Sequence, residues 1–132
     1  MRALSFLHDA ELVCLKMDKK TNSISVCFEN ENGARQEIKA TDLIFVRSVD
    51  MAHQNIVGYV LSSRFQDFDE KSILEWLRWI TSSMDSGSFL DERNIKKACE
   101  RILRGDWELM LVFPSAGMQM GIVAKNIEVY GG

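Results

Sequence analysis

Two histidines and three cysteines are the side chains of this 132-residue chain with the most chemistry to offer. His8 stands next to Asp9, a pairing that in an active site would join a base to its orienting carboxylate. Neighbours in an extended chain point to opposite sides, so adjacency works against a shared site. The pair reads instead as polar residues leading into a first strand. His53 sits in the polar stretch from Asp50 to Asn55 and reads as a surface histidine in a connecting loop. The chain has no Cys-x-x-Cys or His-Glu-x-x-His spacing, so no zinc site is expected. A cysteine nucleophile needs a base and an electropositive setting. Cys14 and Cys27 fall in strand-like segments, and Cys99 lies on the apolar stripe of a helix, where it serves as a small buried hydrophobe. The stretch from Gly117 to Gly121 lacks both the P-loop lysine and the dinucleotide fingerprint. The residues therefore predict no enzyme, no metal and no cofactor.

The elements that position these residues follow from periodicity. Val13, Leu15 and Met17 alternate, as do Ile24, Val26 and Phe28. A turn centred on Lys20 and Thr21 sets Met17 against Ile24, Leu15 against Val26 and Val13 against Phe28. All six then share one face, and Cys14 opposes Cys27 on the other. Asn30-Glu31-Asn32-Gly33 is a second hairpin turn. Arg35 to Ala40, with Ile38 as its one large apolar residue, reads as an exposed or edge strand protected by charge. Leu43 to Val49 is apolar on both faces and reads as a buried strand. Asn55 to Leu61 fits strand and helix templates alike; Gly58 and the β-branched residues favour strand.

Two helices follow with the same start signal. Asp69 caps the first, with Phe68 stapled to Ile73; Asp91 caps the second, with Leu90 against Ile95. The stripes are Ile73, Leu74, Trp76, Leu77 and Ile80, then Ile95, Ala98, Cys99, Ile102 and Leu103. Gly105 ends the second as a left-handed cap. Ser82 to Ser88 reads as a loop. Trp107 to Phe113 is a central strand, Pro114 to Gly117 a turn, and Met118 to Ala124 with Ile127 to Tyr130 a closing strand. The order predicts a single α+β domain over residues 1–132. Its core is a mostly antiparallel sheet of about six to eight strands with two helices packed on one face.

Composition supports a folded domain, since 46% hydrophobic and 27% charged residues can offset the ordering entropy that disorder avoids. With 16 basic and 19 acidic residues the net charge is −3, which argues against a strongly basic nucleic-acid binder or a polybasic membrane protein. Arg93, Lys96, Lys97, Arg101 and Arg104 are basic on the second helix, but Asp91, Glu92 and Glu100 interrupt them, and a solvated face accounts for them. No apolar run approaches the ~20 residues of a membrane span. Met1 to Asp9 is too short for a signal h-region. An odd cysteine count without a secretion signal predicts reduced thiols and a cytoplasmic location.

Several pieces together carry a family likeness: His8-Asp9-Ala10-Glu11-Leu12 opening a hairpin, Gln54-Asn55-Ile56-Val57 after a strand ending at Asp50, Leu74 with Trp76-Leu77 on the first helix, Trp107-Glu108-Leu109, and Pro114-Ser115-Ala116-Gly117. Over most of its length the chain resembles small bacterial immunity proteins of the polymorphic-toxin, contact-dependent growth inhibition type. That resemblance implies a stoichiometric inhibitor, which binds a cognate toxin domain, such as a nuclease with a basic substrate groove. The alternative class is a bacterial α+β regulatory or nucleic-acid-binding module. Acidic side chains near aromatic area mark the expected partner surface: Glu29, Glu31, Phe65, Asp67, Asp69, Glu70 and Trp79. For the segment from Arg64 to Glu70, a helix staple and cap explain the same residues.

Overall fold

The computed structural model describes residues 5–82 and 87–131. After a short 3-10 turn at Ser5–Leu7 come strands β1 (Glu11–Asp18), β2 (Ser23–Glu29), β3 (Arg35–Val49) and β4 (Ile56–Ser62). Helices α1 (Glu70–Ile80) and α2 (Glu92–Leu103) follow, then β5 (Glu108–Ala116) and β6 (Gln119–Gly131). The Asn55–Leu61 segment is thus strand. The stretch expected as a turn from Pro114 stays in β5 up to Ala116, and Gly117 makes the turn at φ 85°. Within the Ser82–Ser88 connection expected as a loop, residues 83–86 lie outside the described residues; Ser82 and Ser88 form an isolated antiparallel bridge. Residues 1–4, part of the stretch judged too short for a signal, lie outside them too.

All strand pairings are antiparallel, and the six strands close into a barrel in the order β1-β2-β3-β6-β5-β4. Closure runs through the Glu11–Ile56 pair. Three backbone bonds flank it: Asp9 N–H to Val57 O (2.9 Å), Val57 N–H to Ala10 O (2.9 Å) and Leu12 N–H to Asn55 O (2.8 Å). Closure removes the free edges that a six-stranded sheet would otherwise present. Arg35 to Ala40, expected at an edge, is instead bonded on both sides, to β2 and to β6. Its charge has another cause. Gln36, Ile38 and Ala40 point into the barrel, while Glu37 and Lys39 face outward, where neither α1 nor α2 packs.

Two apolar clusters hold the molecule together. The first fills the barrel, with Leu7, Phe28, Ile38, Val60, Met120 and Ile122 among its fully buried members. The second lies between the outside of the sheet and the helices. It joins Ile73, Leu77 and Ile80 to Ile95, Ala98, Cys99 and Ile102 over Leu109, Leu111 and Val123. Strands under the helices are therefore apolar on both faces, as Leu109 to Val112 shows. The same holds for the second half of β3, where Leu43 and Val46 join the inner cluster and Ile44 and Phe45 the outer one. A register shift between Leu43 and Phe45 accompanies this reversal.

The helix ends form as their sequences predict. Asp69 accepts from Ser72 N–H at 2.7 Å and Asp91 from Asn94 N–H at 2.8 Å. Gly105, at φ 83°, ends α2 with Asp106 N–H on Arg101 O and its own N–H on Ile102 O. Arg78 grips Glu92 through two hydrogen bonds, of 3.0 and 3.2 Å, and ties α1 to α2. α1 settles onto Gly121, where a Cβ would come within 2.6 Å of Ile80 Cγ1.

The first hairpin departs from its expected pattern at one point. Leu15 opposes Val26 and Met17 opposes Ile24, as predicted, but Leu12 rather than Val13 opposes Phe28. A bulge between Leu12 and Cys14 inserts Val13 as an extra residue. Val13 is consequently 41% exposed, and Met17, beside the hairpin turn, 43%. The inner face keeps Leu12, Leu15, Ile24, Val26 and Phe28. The α1–sheet contact yields the first prediction. Leu77 is fully buried, so Leu77→Ala should cost about 2–5 kcal/mol in urea unfolding; a loss below about 0.5 kcal/mol, the level of a surface substitution, would mean that α1 does not use this face.

Candidate functional site

Barrel closure and the second hairpin turn bring four acidic residues to one opening. The chain from Leu7 enters β1 through Asp9, at φ 65°, a conformation that aspartate tolerates. Glu11 and Glu29 are cross-strand partners at the end of the β1–β2 ladder. The Asn30–Gly33 turn, closed by Gly33 N–H on Asn30 O at 2.9 Å, carries Glu31. Asp9, Glu11, Glu29, Asn30, Glu31 and Ile56 line an open cavity of about 540 Å³. A second hollow of about 350 Å³, bordered by Phe6, His8, Asp9, Asn30, Glu31 and Asn32, adjoins it.

This mouth is rich in acceptors. It offers four carboxyl groups; Asn30 also lines it, with its Oδ1 buried and without a hydrogen-bond partner among the described residues. Arg35 Nε sits 3.3 Å from Glu29 Oε2, on a solvent-exposed side chain. His8 Nδ1 lies 3.6 Å from Asp9 Oδ1, both exposed. Their approach differs from the opposite-facing expectation because the two residues lie in a turn ahead of β1, not in a strand. Among the described residues no three histidine, cysteine or acidic side chains are placed to hold a metal ion. Like charges opposite one another, as at Glu11 and Glu29, weaken a sheet. What the arrangement can do is receive donors: an ammonium or guanidinium group would meet carboxylates.

The residues expected at the partner surface separate into groups. Glu29 and Glu31 line the mouth. Phe65, Asp67, Asp69 and Glu70 lie after the far end of β4, roughly 20 Å of strand from Ile56. Asp67, Asp69 and Glu70 are exposed there, and Phe65 is 46% exposed. Asp69 is occupied as the α1 cap, and its bonds from Ser72 hold its carboxyl below the usual value. Phe68 packs into the outer cluster. Trp79 is half-buried, beneath the Arg47 guanidinium at 4.7 Å, with Arg47 Nη1 donating to Trp79 O at 2.7 Å. It ends an aromatic row that runs from exposed Tyr59, stacked on Phe113 at 4.6 Å, through Trp76 at 5.2 Å and on to Trp79 at 5.9 Å.

Asp9, Glu11, Asn30 and Ile56 line the mouth but were not among the residues expected at the partner surface. Glu11 opposite Glu29 was hidden by the bulge, because an unbroken register would set Glu11 against Asn30. His53 is exposed in its loop and touches neither hollow. Nearby, Asn55 fastens the loop before β4 to the β5–β6 turn: its Oδ1 accepts from Ala52 N–H at 2.9 Å and from Met118 N–H at 3.0 Å. No family model, curated protein or solved structure matches the chain.

The connection that carries Phe65 and Asp67 is anchored by a carboxyl. Glu108 Oε2 accepts from Ile127 N–H at 2.6 Å, Glu108 Oε1 faces Arg64 Nε at 3.6 Å, and Arg64 Nη1 donates to Ile127 O at 3.1 Å. Burial pushes the Glu108 carboxyl above its ordinary value, against the lowering effects of the Ile127 bond and of Arg64. A carboxyl raised on folding binds its proton more tightly in the folded state, so its contribution to stability falls as pH rises from the ordinary carboxyl range through the raised value. Arg64 offsets that loss only while Glu108 is charged. Arg64→Ala should therefore destabilise at pH 7 by about 1 kcal/mol, modest because Arg64 is half exposed, and the deficit should shrink as pH falls through the Glu108 titration. Urea midpoints of both proteins across pH 4–7 check this.

Proposed function

We propose that this protein is a binding protein that neutralises a basic partner by stoichiometric association, in the manner of immunity proteins that protect bacteria from contact-dependent toxins. The observation that carries the reading is the acidic mouth of Asp9, Glu11, Glu29 and Glu31. A toxin that handles nucleic acid has a basic groove, and a compact set of carboxylates competes for it as phosphates do. Such complementarity speeds association and sets orientation. Exposed Tyr59, backed by the half-buried Phe113, Trp76 and Trp79, adds the kind of side chain that anchors protein interfaces.

The test is genetic and then thermodynamic. Co-expression with the polypeptide encoded immediately upstream should rescue growth, and the two should elute together as a complex. Absence of both rescue and co-elution would remove the reading. Given a complex, Glu11→Lys with Glu31→Lys should weaken it by more than tenfold in calorimetry, over ~1.4 kcal/mol. The penalty should diminish as salt screens it. Reversal at Asp67 and Glu70 should have the smaller effect, since those side chains lie beyond the opposite end of β4.

A further inference from the structure

Cys14 and Cys27 are direct cross-strand partners in the β1–β2 ladder, and neither is in a disulfide. Opposed Cα atoms in an antiparallel pair stand ~4.5–5.5 Å apart, inside the span that a disulfide bridges. The two face away from the barrel, because the pairs on either side, Leu12–Phe28 and Leu15–Val26, belong to the inner cluster. Neither helix covers them: among the described residues the outer cluster takes none from β1 or β2. Cys14 is exposed and Cys27 half-buried, whereas Cys99 is buried, with its thiol towards Glu70 O at 3.9 Å.

We propose that Cys14 and Cys27 form a dithiol site that a hydroperoxide converts reversibly into an intramolecular disulfide. Cys14, the accessible sulfur, attacks as thiolate. Its S–O bond forms as the peroxide O–O bond breaks, and the departing oxygen takes a proton to leave as water or an alcohol. Cys27 then attacks the Cys14 sulfenic acid as thiolate: the S–S bond forms, the S–O bond breaks, and hydroxide leaves as water after protonation. Two thiols lose two electrons and two protons, and one peroxide is reduced. The closeness of the sulfurs also shows in the Cys27 thiol. Burial pushes it up first, and Cys14 adds to the rise through its charge and a hydrogen bond; Glu37 on β3 adds further, and Arg35 opposes. A thiol held up in this way is a poor first attacker and suits the resolving role.

The site lies beside the acidic mouth. The Cys14–Cys27 pair is separated from Glu11–Glu29 by Leu12–Phe28 and the Val13 bulge. A disulfide would fasten β1 to β2 where the bulge leaves the ladder incomplete. The experiment treats the intact protein with hydrogen peroxide, unfolds it, counts free thiols and maps peptides without reduction. Thiols should fall from three to one, with a Cys14–Cys27 peptide that dithiothreitol releases. Cys27→Ser should instead accumulate Cys14 sulfenic or sulfinic acid. The proposal is overturned if Cys14 in the native chain ends as sulfinic acid with Cys27 still free, or if bridges to Cys99 or between molecules predominate.

Discussion

The seam between β1 and β4 is the constraint on which the rest of the structure depends. It consists of one ladder pair, Glu11 with Ile56, and backbone bonds at Asp9, Leu12 and Val57. Without it the sheet would have two free edges and the inner cluster would lose one wall. With it, Leu7 is sealed inside, fully buried beside Ala10. The same closure brings Asp9 and Glu11 from one end of the chain into the cavity that Glu29 and Glu31 approach from the β2–β3 turn. Structure and candidate site therefore share a cause.

The barrel also divides the sequence by what covers each strand. β1, β2 and the first half of β3 meet solvent on their outer side, so they carry Lys16, Glu37 and Lys39 there. β5, the first half of β6 and the second half of β3 lie under α1 and α2 and are largely apolar on both faces. The helices dock closely because Gly121 leaves room for Ile80, and the ring of Trp79 fills the remaining space. Polar anchors then fix the loops: Asn55 holds the turn before β6, and Glu108 with Arg64 holds the approach to α1.

Much of this was legible in the residues. The caps at Asp69 and Asp91, the Gly105 stop, the helix stripes except Leu103, which is 51% exposed at the end of α2, and the order of strands and helices rest on local chemistry, which the chain states openly. The Cys14–Cys27 pairing followed from turn geometry alone. Closure was not legible, since β1 and β4 meet across more than 40 residues and no local pattern announces the pairing. The alternating charge of Arg35 to Ala40 looked like edge protection because an uncovered outer face and an edge use the same residues. The bulge at Val13 also escaped, and with it the place of Glu11 opposite Glu29. The acidic residues after β4 are close to α1 in sequence and read as one surface with Glu29 and Glu31, but β4 separates them.

Amide hydrogen exchange at the seam tests the central claim most directly. If the barrel is closed, the Leu12 and Val57 amides, bonded to Asn55 O and Ala10 O, should exchange as slowly as the amides of β5 and β6 at the centre of the sheet. Exchange at the rate of exposed loop amides, with β5 and β6 still protected, would mean an open sheet and would leave the acidic mouth without one of its walls.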